Sequence, residues 1–169
     1  MRAAADRFRA LFDAHHRAVL GYALRRTSPA DAADVLGETM LVAWRRLDDV
    51  PEGPGARPWL FGVAHKALAN QRRGAVRRDR LRARVEAAVS EALVNPMEPH
   101  GDQLWVRAAL QALDDVDREV LTLTAWEELT PTEIAAALEL PPATVRTRLH
   151  RARARLREEL LVRNPEEVP

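Results

Sequence analysis

Apolar residues recur at spacings of three and four along most of the chain, and no segment alternates between apolar and polar positions as a half-buried strand would. Alanine, leucine, arginine and glutamate, which favour helices, are abundant throughout. The pattern therefore predicts an all-α protein. In the first half of the chain, the predicted helical segments cover residues 5–26 (one helix or a pair), 29–47 and 59–78.

The helix predicted over 29–47 has the clearest start. Ser28 is a preferred N-cap residue, Pro29 suits the first helical position, and Asp31 places an acid in the first turn. Apolar spacing predicts that this helix and the preceding one bury a shared core. Its predicted members are Phe8, Phe12, Val19, Leu20, Leu36, Met40, Ala43, Trp44 and Leu47.

Proline and glycine residues divide the chain. The segment PEGPGARP at 51–58 is predicted to be a loop that is not helical, and NPMEPHG at 95–101 marks a second break. We therefore predict two small helical domains joined by a flexible linker. The predicted boundaries are 1–80 and 102–163 for the domains, 81–101 for the linker and 164–169 for a tail.

The second predicted domain ends in a recognisable pair of helices. Thr130 and Glu133 have the spacing of a capping box, with Pro131 at the first helical position. A short helix, a four-residue turn and a longer basic helix are typical of a helix-turn-helix unit. The helices predicted in this domain cover residues 103–113, 116–126, 131–138 and 143–160.

Composition excludes several classes of protein. The chain has no cysteine, so it has neither a disulfide scaffold nor a thiolate metal site. It lacks a glycine-rich phosphate loop, a nucleophile elbow and a paired-histidine metal signature, so we expect no catalytic residue, metal or cofactor. Charges near the N-terminus and the absence of a long apolar run lead us to expect a cytoplasmic protein without membrane insertion.

The 26 basic and 25 acidic side chains leave a formal net charge of only +1, but the two signs are separated along the chain. Residues 1–78 carry 14 basic and 8 acidic groups, whereas residues 102–144 carry 2 basic and 9 acidic groups. Two stretches, 72–84 and 146–157, are rich in arginine. Such stretches are typical of surfaces that bind a polyanion.

The last predicted helix has two faces. Its apolar stripe consists of Val145, Leu149, Ala152 and Leu156. Side chains at the start of the opposite face are candidates for reading base edges in duplex DNA, and they are Thr144, Arg146, Thr147, His150 and Arg151. We interpret the other arginines as phosphate contacts or as a solvated face, and they are Arg148, Arg153, Arg155 and Arg157. Charge alone is equally consistent with a helix that is merely soluble, but the capping box and turn favour DNA binding.

An acidic ridge is predicted on the helix over 29–47. Asp31, Asp34 and Glu38 lie at positions i, i+3 and i+7, away from the predicted core. A basic surface on another protein would complement this ridge. The alternative is a solvated face next to a helix N-terminus, where acids are favourable in any case.

The helix predicted over 59–78 combines an aromatic residue with polar and basic residues. Single-stranded nucleic acid needs rings for base stacking and cations for its phosphates. The candidates for these contacts are Trp59, Lys66, Asn70, Arg72 and Arg73. An isolated tryptophan is also a common core residue, so Trp59 has an alternative role.

Three segments in this order resemble RNA polymerase sigma factors of the sigma-70 family, extracytoplasmic-function (ECF) group. They are DAADVLGETMLVAWRRLDD, RPWLFGVAHKALANQRRGAVRR and DREVLTLTAWEELTPTEIAAALELPPATVRTRLHRARARLREEL. The resemblance covers nearly the whole chain. It implies that 1–80 corresponds to sigma region two and 102–163 to region four, in a non-enzymatic protein that directs promoter-specific transcription initiation.

The resemblance also implies partners for each surface. Asp34 and Glu38 would dock on the clamp helices of core RNA polymerase, and residues 102–130 would bind its flap and, commonly, an anti-sigma factor. The helix over 59–78 would melt the minus-ten element and capture a base from single-stranded promoter DNA. The last helix would read the minus-thirty-five element as duplex, and the linker would pass through the polymerase cleft.

Three positions depart from the family pattern. Lys66 stands where an asparagine often lines the pocket for the captured base. Glu139 replaces the usual glycine of the turn, a place where left-handed backbone angles are easiest for glycine. The sequence Pro141-Pro142-Ala143 replaces a serine-containing cap. The main rival to a sigma factor is a dimeric helix-turn-helix regulator that binds a palindrome.

Overall fold

A computed structural model describes residues 2–85 and 104–163, with side chains described over 2–74 and 105–162, and within these ranges it contains helices and turns but no strand. The all-α prediction is therefore confirmed. The helices are α1 (Arg2–Leu24), α2 (Pro29–Arg45), α3 (Ala56–Val85), α4 (Leu104–Gln111), α5 (Asp115–Ala125), α6 (Pro131–Leu138) and α7 (Pro142–Arg163). They form two units, α1–α3 and α4–α7. Most of the predicted linker and the whole predicted tail lie outside the described residues.

The start of α2 confirms its predicted cap. The Ser28 hydroxyl accepts a hydrogen bond from the Asp31 backbone N–H at 3.1 Å and donates one to the Asp31 carboxylate at 2.7 Å. Thr27 donates a third bond to the same carboxylate at 3.3 Å. These bonds satisfy a backbone donor that the first turn of a helix otherwise leaves without a partner.

The core of the first unit differs from the predicted one. Val19, Met40, Ala43 and Leu47 are buried as predicted, but Trp44 is 45% exposed and Phe12 is 36% exposed. Phe8, Leu20 and Leu36 are only partly buried. The buried stripe of α2 consists instead of Ala32, Val35, Thr39, Met40 and Ala43. The Thr39 hydroxyl is tolerated there because it donates to the Val35 carbonyl at 2.7 Å.

Helix α3 begins earlier and ends later than predicted. The segment 51–58 was predicted to be free of helix, but it contains a 3-10 turn at Gly53–Gly55 and the first residues of α3. Pro58 fits the first helical turn because its missing N–H would have no partner there. At the other end, strong helix formers carry α3 to Val85, so 81–85 of the predicted linker are helical.

The second unit is built around α7, which contacts α4, α5 and α6. The capping box at the start of α6 is confirmed: the Glu133 backbone N–H donates to the Thr130 hydroxyl at 3.3 Å, and the Thr130 N–H donates to the Glu133 carboxylate at 2.8 Å. Helix α6 ends at Glu139, which has a left-handed backbone with φ 55° and ψ 41°. Glycine adopts left-handed backbone angles most easily, but in this turn the left-handed residue is a glutamate.

The core of the second unit includes three of the four residues of the apolar stripe predicted for the last helix. Val145, Leu149 and Ala152 from α7 are buried, and they pack with the buried Ile134 and Ala135 of α6. Leu138, Leu140 and Leu156 are only partly buried. Additional core residues come from α4, α5 and the segments that follow α4 and α5, and they are Ala109, Leu113, Val120, Leu121, Leu123 and Leu129.

Candidate nucleic-acid and protein interfaces

The outward face of α7 carries the predicted base-reading residues. Arg146, Thr147, His150 and Arg151 are all exposed, while Thr144 is half-buried. The Thr147 hydroxyl donates to the Ala143 carbonyl at 3.0 Å, which holds that side chain against the helix. Because Val145 and Leu149 anchor the opposite face, this polar face is turned to solvent over the first turns of α7.

Arg148 is less exposed than Arg153, Arg155 and Arg157, so it is not part of a solvated face, and its predicted phosphate contact stays a prediction. Its Nη1 lies 2.7 Å from Oδ1 of Asp117 and 3.3 Å from Oδ1 of Asp114. Both acids belong to the start of α5. At about 100° per residue, Arg148 falls at the border between the buried stripe of α7 and its outward face, within reach of these carboxylates.

The polar and basic candidates on α3 are accessible to solvent. Lys66, Asn70, Arg72 and Arg73 are exposed, and the Arg73 guanidinium donates a hydrogen bond to the Asn70 side-chain oxygen. Trp59 is half-buried, with the Arg46 guanidinium 5.9 Å from the centre of its ring. Trp59 thus has an intermediate position between the two predicted roles, with part of the indole in the fold and part accessible.

The acidic ridge of α2 contains two kinds of carboxylate. Asp31 is exposed but is tied into the N-cap by Ser28 and Thr27. Asp34 and Glu38 are exposed and, among the side chains that the structure describes, neither has an ion-pair partner. The charge available to a partner protein is therefore concentrated on Asp34 and Glu38.

An apolar side chain next to this ridge was missed in the sequence. Leu41 lies three residues after Glu38 and seven after Asp34, on the same face of α2, and it is 47% exposed. Trp44, one turn further on, meets Phe8 edge to face with ring centres 5.2 Å apart. The helical spacing from Glu38 could have identified Leu41, because it lies opposite the buried stripe of Ala32, Val35, Thr39 and Ala43.

A cavity of about 320 Å³ lies between α1 and residues 47–56. Its wall includes His15, whose pKa is lowered by burial and, to a smaller extent, by the positive charge of Arg57. Arg7 closes one side, with its guanidinium donating to the Val50 carbonyl at 3.0 Å. Across the described ranges, no group of three or more histidine or acidic side chains is placed to hold a metal ion.

Comparison with known proteins gives the same family for both units. Residues 11–78 match Sigma-70 region 2, and residues 103–156 match Sigma-70, region 4. The ECF RNA polymerase sigma factor SigL of Mycobacterium tuberculosis is 34% identical over 155 residues, which cover 88% of this chain and 86% of SigL. Within the part of the chain that the structure describes, no helix is long and apolar enough to span a membrane.

Two solved structures are similar over almost the full length of the chain. The sigma factor RpoE, in complex with the anti-sigma factor NepR from Bartonella quintana, has a TM-score of 0.69 and 23% identity over 92% of this chain and 97% of that one. CnrH, in complex with the cytosolic domain of CnrY, has a TM-score of 0.65 and 29% identity over 94% of this chain and 95% of that one. The chain therefore belongs to the extracytoplasmic-function group of RNA polymerase sigma factors, which direct promoter-specific transcription initiation.

Proposed function

We propose that α7 reads the minus-thirty-five element of a promoter as duplex DNA. The exposure of Arg146, His150 and Arg151 on the first turns of a helix-turn-helix carries this proposal. Arginine can donate two parallel hydrogen bonds to a guanine in the major groove, so Arg146 and Arg151 supply sequence preference. Arg153 and Arg155, further along the exposed face, contact phosphates and supply affinity.

We further propose that α3 and the loop before it open the minus-ten element. Lys66 and Arg73 are exposed cations on the same helix as Asn70, which offers polar atoms to an unpaired base. The accessible part of Trp59 provides a surface on which a base can stack. Because Lys66 carries a charge, it favours a phosphate or an electronegative base edge at its position.

The acidic ridge is proposed to bind core RNA polymerase. Asp34 and Glu38 present two negative charges on one face of α2, and the adjacent Leu41 adds apolar area to it. A helix with basic side chains around an apolar strip would complement this face, as the clamp helices of the polymerase would. The chain would then act as a subunit that selects the promoter, while the polymerase performs the chemistry.

A second contact with polymerase is proposed for residues 102–130, which would bind the flap. Trp126, at the end of α5, is 47% exposed and offers an apolar anchor there. The same surfaces are proposed to be covered by an anti-sigma factor when the chain is held inactive. RpoE, which shares the fold, has been solved with such a partner.

Run-off transcription with purified core polymerase tests this function. The templates are promoters near the gene for this chain, and the reactions contain or lack the full chain. We expect initiation at a defined start site only when the chain is present. No dependence on the chain, together with tight binding of a two-fold symmetric site, would instead indicate a dimeric helix-turn-helix regulator.

The roles within α7 are separated by a matched pair of arginine variants. Arg146→Ala should relax sequence preference by about 1–3 kcal/mol, since it removes base contacts. Arg155→Ala should leave preference intact and lower the slope of log affinity against log salt by about one, since it removes one phosphate contact. Binding of the full chain to duplexes of preferred and scrambled sequence at several salt concentrations measures both quantities.

A further inference from the structure

Arg148 has surroundings unlike those of the exposed arginines on α7. Its side chain is 28% exposed and that of its partner Asp117 is 9% exposed, so this ion pair is largely shielded from water. The guanidinium meets two carboxylates, at 2.7 Å and 3.3 Å, that are both fixed to the start of α5. The two short contacts to fixed carboxylates therefore restrict the position of the Arg148 guanidinium, in addition to the attraction between the charges.

The two acids are themselves held in place. Asp114 is the N-cap of α5, and its Oδ1 accepts hydrogen bonds from the backbone N–H groups of Val116 at 3.0 Å and Asp117 at 3.1 Å. The backbone hydrogen bond from Asp117 is the largest cause of a lowered pKa at Asp114, and the charges of Arg148 and Arg118 lower it further. Asp114 therefore stays ionised well below neutral pH.

Arg118 holds the segment between α4 and α5 in place. Arg118 donates from Nε to the carbonyl of Leu110, in the last turn of α4, at 2.8 Å and from Nη2 to the carbonyl of Leu113, in the segment after α4, at 2.8 Å. It also forms an ion pair with Asp115 at 3.0 Å. The carboxylates that contact Arg148 therefore lie at the start of α5, which Arg118 connects to the preceding helix by hydrogen bonds.

We infer that Arg148 is a positioning residue, which fixes the rotation of α7 about its own axis so that Arg146, His150 and Arg151 face the DNA. This inference rests on the proposed reading of duplex DNA by α7. The buried stripe of α7, formed by Val145, Leu149 and Ala152, sets which side of the helix faces the core, and Arg148 lies at the edge of that stripe. An ion pair at the edge of the stripe supplies a directional constraint that apolar packing lacks.

A positioning role and a phosphate-contact role predict opposite effects of the partner acid. If Arg148 bound a phosphate, removing the charge of Asp117 would release Arg148 toward DNA and strengthen binding to every sequence. If Arg148 positions α7, removing that charge loosens the helix and lowers sequence preference. The two roles also differ in salt dependence, because only a phosphate contact contributes to the salt slope.

The test measures binding of the full chain to two duplexes, one selected by the wild-type chain from a random pool and one with a scrambled sequence. For Asp117→Asn and Arg148→Ala, we expect the affinity ratio between the two duplexes to fall about tenfold, which is the order of magnitude that one base contact contributes. The slope of log affinity against log salt should not change. Arg148→Lys, which keeps the charge, should restore part of the ratio. Arg153→Ala is the matched control and should keep the ratio while lowering the slope.

A further variant keeps the test valid if the shielded pair is needed for folding. Asp114→Asn retains a good N-cap and removes one of the two charges around Arg148, so it should fold and lower the ratio to a smaller extent. The inference is overturned if Asp117→Asn and Asp114→Asn keep the ratio or tighten binding to both duplexes. Arg146→Ala distinguishes failure of the proposed function from failure of this inference. If Arg146→Ala does not change the affinity ratio between the two duplexes, the proposed reading of DNA by α7 is wrong, and the positioning role of Arg148 is not the part that failed.

Discussion

The two units use acidic side chains in different ways. In the first unit, Asp34 and Glu38 point to solvent and have no ion-pair partner among the described side chains. In the second unit, Asp117 is 6% exposed and holds Arg148 of another helix. The charges of Asp34 and Glu38 are therefore available to another molecule, whereas the charge of Asp117 is largely neutralised by Arg148 within the fold.

This difference changes the meaning of the charge blocks along the chain. Residues 102–144 carry 9 acidic groups and only 2 basic ones, yet Arg148, from the following basic block, neutralises part of them. Arg118, one of the two basic groups of this block, pairs with Asp115. The acidic block of the second unit is therefore a weaker attractant for a basic partner than its composition indicates.

The largest expected effect comes from breaking the internal pair of the second unit. Arg148→Ala should lower the free energy of unfolding of that unit by about 2–4 kcal/mol, because it leaves the shielded Asp117 without its cation. Thermal denaturation followed by circular dichroism measures this change. For a unit of this size, each kcal/mol corresponds to a shift of about 4–8 °C in Tm.

The control for that prediction is Arg153→Ala, on the exposed face of α7. It should change the free energy of unfolding by no more than about 0.5 kcal/mol, as surface substitutions do. If Arg148→Ala is no more destabilising than Arg153→Ala, the contrast between the acids of the two units does not hold.

A smaller change in the free energy of unfolding is expected at Glu139, which has a left-handed backbone. Glu139 has φ 55°, so Glu139→Gly should raise the free energy of unfolding by about 0.5–1 kcal/mol through relief of left-handed strain. The same substitution within helix α7, Glu158→Gly, should lower it by about 1 kcal/mol. Urea denaturation of both variants measures the pair of changes. Equal destabilisation would show that the backbone at Glu139 carries no relievable strain.

The smallest effect concerns pH and the first unit. Burial, and then Arg57, lower the pKa of His15 from 6.5, so the folded state binds fewer protons than the unfolded state as pH falls below that value. Stability of the first unit should therefore decrease between neutral pH and mildly acidic pH, and His15→Gln should remove part of that decrease. Thermal denaturation across this pH range checks it, and identical slopes for variant and wild type would contradict it.

Local signals in the sequence predicted local structure well. Helix α6 has the predicted bounds of 131 and 138 because Thr130, Pro131 and Glu133 specify its start within four residues. The resemblance placed Glu139 where the family usually has glycine, and its backbone is left-handed there. The end of α3 was less predictable, since 79–85 lost apolar periodicity while keeping strong helix formers, and helix propensity prevailed.

Features that depend on contacts between distant residues were not predictable. Trp44 and Leu36 follow a correct helical spacing, but which stripe of α2 is buried depends on how α1 and α3 pack against it. Helical spacing placed Arg148 at the border of the apolar stripe of α7, but Asp117 is 31 residues away, so the sequence did not indicate that the two side chains meet. The outward face of α7 was predictable, because an apolar stripe marks the opposite face.

The contrast between the two acidic sets is tested most directly by the affinity of the full chain for core RNA polymerase. The double variant Asp34→Asn with Glu38→Gln removes the exposed charges of α2, and Asp114→Asn removes one charge from the second unit while retaining its N-cap. Thermal denaturation of each variant shows whether the fold is retained.

We predict that the double variant binds core polymerase about tenfold more weakly, a loss of about 1.4 kcal/mol, with an unchanged Tm. We predict that Asp114→Asn lowers the affinity for polymerase by less than the double variant does, because the Asp114 charge is paired with Arg148, and that it lowers the Tm because one contact to Arg148 is lost. An unchanged affinity of the Asp34→Asn, Glu38→Gln variant for core polymerase would contradict the account.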